Sequence, residues 1–267
     1  FDGNIFNFYY FSGYWRLMQK RKIIEVKDVT IKYDETTILK NVSFDIYESD
    51  IFLIVGGSGC GKSSLLRQII GLEDPYSGEI IIEGENLTTS KGEKRKELIK
   101  KLGVLFQSSG LFASMTLAEN ISLQLETYTK LSQSRILELV QLKLTAVGLD
   151  GYGSFLPSEI SGGMKKRAAL ARAMALDPDI LCFDEPSSGL DPITADAIDN
   201  LILEINRSMG TTMVVVSHDI DSILKIATNI IMLDKETAGV VASGSPEVLK
   251  NDSINQKVYN FFNRIAQ

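Results

Sequence analysis

Ile51-Phe52-Leu53-Ile54-Val55-Gly56-Gly57-Ser58-Gly59-Cys60-Gly61-Lys62-Ser63 decides the fold. The unbroken apolar run from Ile51 to Val55 reads as a parallel strand covered on both faces. The turn that follows fits G-x-x-x-x-G-K-S and opens into a helical pattern. Glycines let the backbone curl into a nest of N–H groups that face phosphate oxygens, and the next helix adds the positive end of its dipole. In such a cradle Lys62 reaches the β- and γ-phosphates and the Ser63 hydroxyl ligates Mg²⁺. Gly56, Gly57, Ser58, Gly59, Cys60, Gly61, Lys62, Ser63 and the adjacent Ser64 are therefore expected to hold a nucleotide. A flexible Gly-Ser turn that happens to precede a lysine is the alternative, and the strand before it and helix after it argue against that.

Around this unit, Ile23 to Lys32, Ile38 to Ile46 and Gly78 to Glu83 alternate apolar and polar residues, as half-buried strands do. Val104-Leu105-Phe106, Ile180-Leu181-Cys182-Phe183 and Met213-Val214-Val215-Val216 are short continuous apolar runs of the parallel kind. The expected fold is α/β: a P-loop core on a parallel sheet, with an antiparallel β-subdomain at the N-terminal side. Strand signals vanish between Phe106 and residue 159, where Ile136, Leu137, Val140, Leu144 and Val147 recur at helical spacing between Ser132 and Gly148. An inserted helical subdomain is expected over about residues 108–172. The basic-rich stretch Lys91 to Lys101 reads as a solvated helix face.

Composition narrows the partners. A net charge of −6 makes nucleic acid a poor partner, and 44% hydrophobic residues suffice for a buried core. No run approaches the roughly 18 to 20 apolar residues of a membrane-spanning helix, so a membrane role is expected to come through a partner. Cys60 and Cys182 sit inside the nucleotide motifs, not in a spaced framework, and no disulfide is expected. Residues 1–22 form an extension in which aromatics crowd before Met18 and Lys20-Arg21-Lys22. They read either as an interfacial anchor or as sequence upstream of a start at Met18. The second is preferred because the aromatics show no clean amphipathic period.

Further polar groups fall at strand ends, where ligands of open α/β sheets sit. Asp184 and Glu185 follow Ile180 to Phe183: the first is expected to hold Mg²⁺, the second to polarise an attacking water. Two acids could also simply end a strand at the surface. His218, the single histidine, follows Val214 to Ser217 and could contact a γ-phosphate or that water; a satisfied structural histidine is the alternative. Gln107 follows the Val104 to Phe106 strand and could touch Mg²⁺ while opening the helical insertion.

The turn Glu159-Ile160-Ser161-Gly162-Gly163-Met164-Lys165-Lys166-Arg167, opening an alanine-rich helix, narrows the class furthest. The glycine cradle at 56–63, Gln107, Ser161 to Met164, Asp184-Glu185, Ser188-Gly189-Leu190-Asp191 and Ser217-His218 occur in an order that resembles the ATP-binding subunits of ABC transporters, over about residues 23–250. The resemblance implies ATP and Mg²⁺ as ligands and a head-to-tail homodimer. In that dimer Ser161, Gly162 and Gly163 meet the ATP of the opposite subunit, and Lys62, Gln107, Glu185 and His218 serve catalysis. Tyr33 matches the aromatic that stacks on adenine, with a strand aromatic packed in the sheet as the alternative. Met164 and Ile160 stand where the commonest form has Gln and Leu, a change that leaves every main-chain donor in place.

Val104 to Phe112, Ser158 to Met164, Arg167 to Ala173 and Asp191-Pro192-Ile193-Thr194 together resemble the Mla/Mce branch, whose ATPases energise lipid movement between bacterial membranes. That implies integral membrane permease subunits, an Mce-type substrate-binding protein and a peripheral place on the cytoplasmic face of the inner membrane. Leu111, Phe112 and Met115 are the expected contact to the permease, and 251–267 a C-terminal helical tail shorter than in some members. Another transport cargo, or a soluble ABC ATPase without a permease, are the alternatives. The second is disfavoured by the lack of a coiled-coil insertion, a zinc-type cysteine set or a basic surplus.

Overall fold

The computed structural model describes residues 20–265; the aromatic segment 1–17 and its two readings lie outside them. β1 (Lys22–Tyr33) and β2 (Thr36–Tyr47) pair antiparallel and precede β3 (Ile51–Gly56). β4 (Ser77–Ile82) joins the free edge of β1, and the short β5 (Glu85–Asn86) completes an antiparallel sheet of order β2-β1-β4-β5. The second sheet adds β6 (Leu102–Leu105), β7 (Ile180–Asp184), β8 (Thr212–Val216), β9 (Asn229–Asp234) and β10 (Gly239–Gly244) to β3. Its order is β10-β9-β3-β8-β7-β6, parallel except for the antiparallel β10.

The continuous apolar runs have a simple consequence. Side chains of a strand alternate between faces, so a strand apolar at every position must be covered twice. Ile51, Leu53 and Val55 of β3, with Met213 and Val215 of β8 and Leu181 and Phe183 of β7, enter one core cluster. Phe52, Ile54, Val214, Val216, Ile180 and Cys182 enter the other, together with the inner faces of β1, β2 and β4. The sheet is the wall between two cores. Each fully buried aliphatic side chain stabilises the fold by about 1.5–3 kcal/mol.

Helices α1 (Lys62–Ile69) and α2 (Gly92–Lys100) follow β3 and β5. Between β6 and β7 the chain forms α3 (Leu117–Tyr128), α4 (Gln133–Ala146) and α5 (Gly162–Ala173). A capping box of Thr116 and Glu119 starts α3, and Ser132 caps α4, which stops at Val147 before Gly148 at φ +69°. Buried Asn120 ties the preceding loop down: its amide donates to the carbonyls of Phe112, Met115 and Thr116 and accepts from the Phe112 N–H. The chain closes with α6 (Pro192–Met209), α7 (Ile220–Ile226), α8 (Pro246–Lys250) and α9 (Gln256–Phe262), whose Val258 and Phe262 are buried in the same core as Ile223 and Ile226 of α7.

Three details differ from the sequence reading. β6 begins at Leu102, and Phe106 lies beyond it in a turn closed by Ser109 N–H to Phe106 O (2.9 Å). The strand is set two residues earlier by pairing of Leu102 with Ile180. The β9–β10 hairpin is an addition to the expected strands; it pairs β9 parallel to β3 and brings Leu233 beside Gly56. Leu137, counted with the inward stripe of α4, is 54% exposed, while Ile136, Val140 and Leu144 face the core.

Candidate nucleotide site

The carboxyl ends of β3, β7 and β8 lie side by side, so the turns that follow them share one edge of the sheet. That adjacency builds the site. Gly56 leaves β3 at φ +144°, and a Cβ there would stand 2.3 Å from the Leu233 carbonyl oxygen of β9. Only glycine fits. Gly61, at φ +99°, caps α1 where a side chain would strike Ile38 and Leu39. At Gly57 and Gly59 a Cβ would meet nothing within 4 Å, so the loop is walled on one side and open on the other. An anion-sized space over a helix N-terminus is what phosphate recognition needs.

The open side is a cleft of about 650 Å³, lined by Ile38, most of the 56–64 loop, Gln107, Glu185, His218 and Phe261. That is the size range of small-ligand pockets. Lys62 is buried, its ammonium donating to the carbonyls of Gly56 and Gly57, both at 3.0 Å. The Ser63 hydroxyl donates to Asp184 Oδ1 at 2.9 Å, which joins the start of α1 to the end of β7. Two hard oxygen donors on adjacent elements suit Mg²⁺, which is bound through few protein ligands and keeps several waters.

Glu185 sits in the left-handed region at φ +49°, a conformation that costs a residue with a Cβ about 1–3 kcal/mol. Its surroundings over-determine it. The Glu185 N–H donates to Val216 O (3.0 Å), its carbonyl accepts from Ser188 N–H (3.2 Å), and its Oε1 lies 2.8 Å from His218 Nδ1. Because an ionised carboxylate only accepts, the imidazole proton at this contact belongs on Nδ1. Glu185 is mostly buried and His218 is exposed, so the histidine covers the carboxylate from the solvent side. Gln107 Nε2 donates to Ser188 Oγ at 3.3 Å, linking the end of β6 to the turn after Glu185.

Other expected residues lie elsewhere. Cys60 belongs to the loop but its thiol is buried in the second core, and burial pushes its pKa up; only its main chain serves the loop. Cys60 and Cys182 are both free thiols. Tyr33 is 40% exposed and not packed in the sheet; its hydroxyl donates to Glu73 Oε2 (2.5 Å), which also accepts from Gln68 of α1. Ser161 and Gly162 are exposed and do not line the cleft formed by their own chain. The Ser161 side chain caps α5 by accepting from Met164 N–H (3.3 Å), which leaves its hydroxyl proton free to donate. A Cβ on Gly163 would fall 2.4 Å from Thr194 Cγ2, so this glycine lets α5 pack against the start of α6. Met164 packs its side chain on the first core. Three residues of the site carry no signal in the sequence reading: Ile38, Phe261 and Lys166, whose ammonium donates to the carbonyls of Gln107 (2.5 Å) and Glu185 (3.3 Å).

The family described as "ABC transporter" matches residues 39–188, from within β2 through the turn after Glu185. The chain belongs to the ABC transporter family. It is an ATP-binding and ATP-hydrolysing member of that family. It is 40% identical over 245 residues to the intermembrane phospholipid transport system ATP-binding protein MlaF of Escherichia coli K12, covering 91% of this chain and 90% of that one. It is 39% identical over 229 residues to the protein of the same description from Haemophilus influenzae, covering 86% of each. Among solved structures it is similar to the ABC cassette MJ0796 in a dimeric post-hydrolysis state bound to ADP and Pi, with a TM-score of 0.76 and 30% identity over 84% of this chain and 99% of that one.

Proposed function

We propose that this ATPase is the motor subunit of a transporter that moves phospholipid between bacterial membranes. The convergence of Ser63–Asp184 and Glu185–His218 on one glycine cradle supports the chemistry. Likeness to MlaF over nine-tenths of the chain supports the cargo. In this reading the Lys62 ammonium exchanges the Gly56 and Gly57 carbonyls for the β- and γ-phosphates of ATP, and Tyr33 turns its exposed ring to the adenine. Ser63 and Asp184 hold Mg²⁺, with Gln107 near it; the ion, when bound, neutralises charge on the phosphates. Glu185 accepts a hydrogen bond from the attacking water and orients it toward the γ-phosphorus, and the Nδ1–H of His218 fixes the carboxylate.

A second copy of the chain supplies the remaining donors. The free O–H of Ser161 and the first amides of its helix, exposed on one subunit, meet the γ-phosphate held by the other, so the catalytic unit is a homodimer. Permease subunits contact the loop around Phe112, which is 51% exposed, and an Mce-type protein carries lipid in the same complex at the cytoplasmic face of the inner membrane. Purification from native membranes tests this. Co-purification of a membrane permease, an Mce-type protein and phospholipid is expected; recovery as a homodimer without any membrane subunit rejects the motor reading, and a different bound cargo rejects the lipid.

A further inference from the structure

Lys166 is 5% exposed, yet no carboxylate among the described residues lies within ion-pairing distance of its ammonium. A buried cation without a partner is costly, so its placement asks for a reason. Its polar contacts are two main-chain carbonyls: that of Gln107, in the turn after β6, and that of Glu185, just after β7. An ammonium has three N–H donors and no acceptor, which suits it to hold two carbonyls at once. Burial lowers the ammonium's pKa, and the charges of Asp184 and Glu185 oppose that shift.

One of the two carbonyls belongs to the residue whose backbone is strained. Glu185 at φ +49° is held by its N–H to Val216, by Ser188 N–H on its carbonyl, by His218 on its carboxylate and by Lys166 on the same carbonyl. Of these holders, Lys166 alone comes from the helical insertion between β6 and β7. It lies on α5, about 7.5 Å along the axis from Ser161, which begins that helix. The end of the helix proposed to meet a second copy's nucleotide and the lysine that grips the chain's own Glu185 therefore belong to one helix.

We propose that Lys166 is a positioning residue for hydrolysis: it fixes the backbone of Glu185, and the loop at Gln107, in the geometry that aims the carboxylate at water. The inference rests on Glu185 being the water-orienting group. Lys166→Met keeps the length and apolar stem of the side chain and removes the donors; Lys166→Arg keeps a cation with several donors.

The test compares these two variants and Glu185→Gln in the assembled transporter, by steady-state ATP turnover and by binding of a fluorescent ATP analogue. Lys166→Met is expected to lower kcat at least about tenfold while analogue affinity stays within about threefold, because an aiming defect acts on the transition state and not on ground-state binding. Lys166→Arg is expected to return kcat to within about threefold of the unaltered protein. Full turnover in Lys166→Met, equal losses in affinity and kcat, or equal losses in the Met and Arg variants would each overturn the proposal. If Glu185→Gln leaves turnover unchanged, the reading of Glu185 fails first. If Glu185→Gln is inactive and Lys166→Met is not, only the role of Lys166 falls.

Discussion

The Nδ1–H of His218 meets Glu185 Oε1 at 2.8 Å across the ends of two neighbouring strands, β8 and β7. In the proposed mechanism the single histidine orients the carboxylate through this contact and does not replace it. His218→Ala should therefore lower ATP turnover by about a hundredfold, the low end of a general acid–base contribution. Binding of a fluorescent ATP analogue should persist, since the phosphate loop is untouched. Loss of binding in step with turnover would place His218 on the nucleotide itself.

The phosphate loop makes a contrasting pair of glycine predictions. Gly56→Ala pushes a Cβ to 2.3 Å from the backbone oxygen of Leu233 in β9, where nothing flexible can yield. We expect a loss of at least about 2 kcal/mol in urea unfolding, together with nucleotide binding, as for strain at a special backbone position. Gly57→Ala meets open space and should unfold within about 0.5 kcal/mol of the unaltered protein.

The Ser63–Asp184 contact, at 2.9 Å, marks where the proposed Mg²⁺ would be held. Asp184→Asn and Ser63→Ala should each raise the Mg²⁺ concentration needed for half-maximal turnover by roughly tenfold or more, the scale on which even outer-shell changes act. A Mg²⁺ titration of ATPase activity reads this directly. Unchanged midpoints in both variants would remove the pair from the metal site.

Burial pushes the Cys182 thiol up to about 12, from an ordinary value of 9.0. The unfolded thiol ionises first as pH rises, so this residue's contribution to stability is present below about pH 9 and is lost between there and about 12. At pH 8 the buried thiol should react with a disulfide reagent at the rate of unfolding and not at the rate of a free thiolate. Labelling that proceeds at the free-thiol rate in folded protein would contradict its burial.

The sheet is legible in the sequence because a parallel strand buried on both faces is apolar at every position, as from Ile51 to Val55 and from Met213 to Val216. The phosphate loop, the acids at the end of β7 and the histidine after β8 are legible because strand-end chemistry is local in sequence. Lys166 is not. It sits in Lys165-Lys166-Arg167, which looks like a solvated run, and only the rotation of α5 turns Lys166 inward while its neighbours stay partly exposed. Phe261 reaches the cleft through the packing of α9, a long-range contact with no local signature. Phe106 reads as strand because it is apolar, but hydrogen bonding to β7 ends at Leu105.

The central claim is that Glu185 orients the attacking water in an ATPase that closes as a dimer around its nucleotide. Glu185→Gln keeps the size of the side chain and removes the charge. Turnover and sedimentation of this variant with ATP and Mg²⁺ test the claim most directly. Hydrolysis should fall at least about tenfold, with a dimer that persists while ATP is bound. Turnover equal to that of the unaltered protein would contradict it.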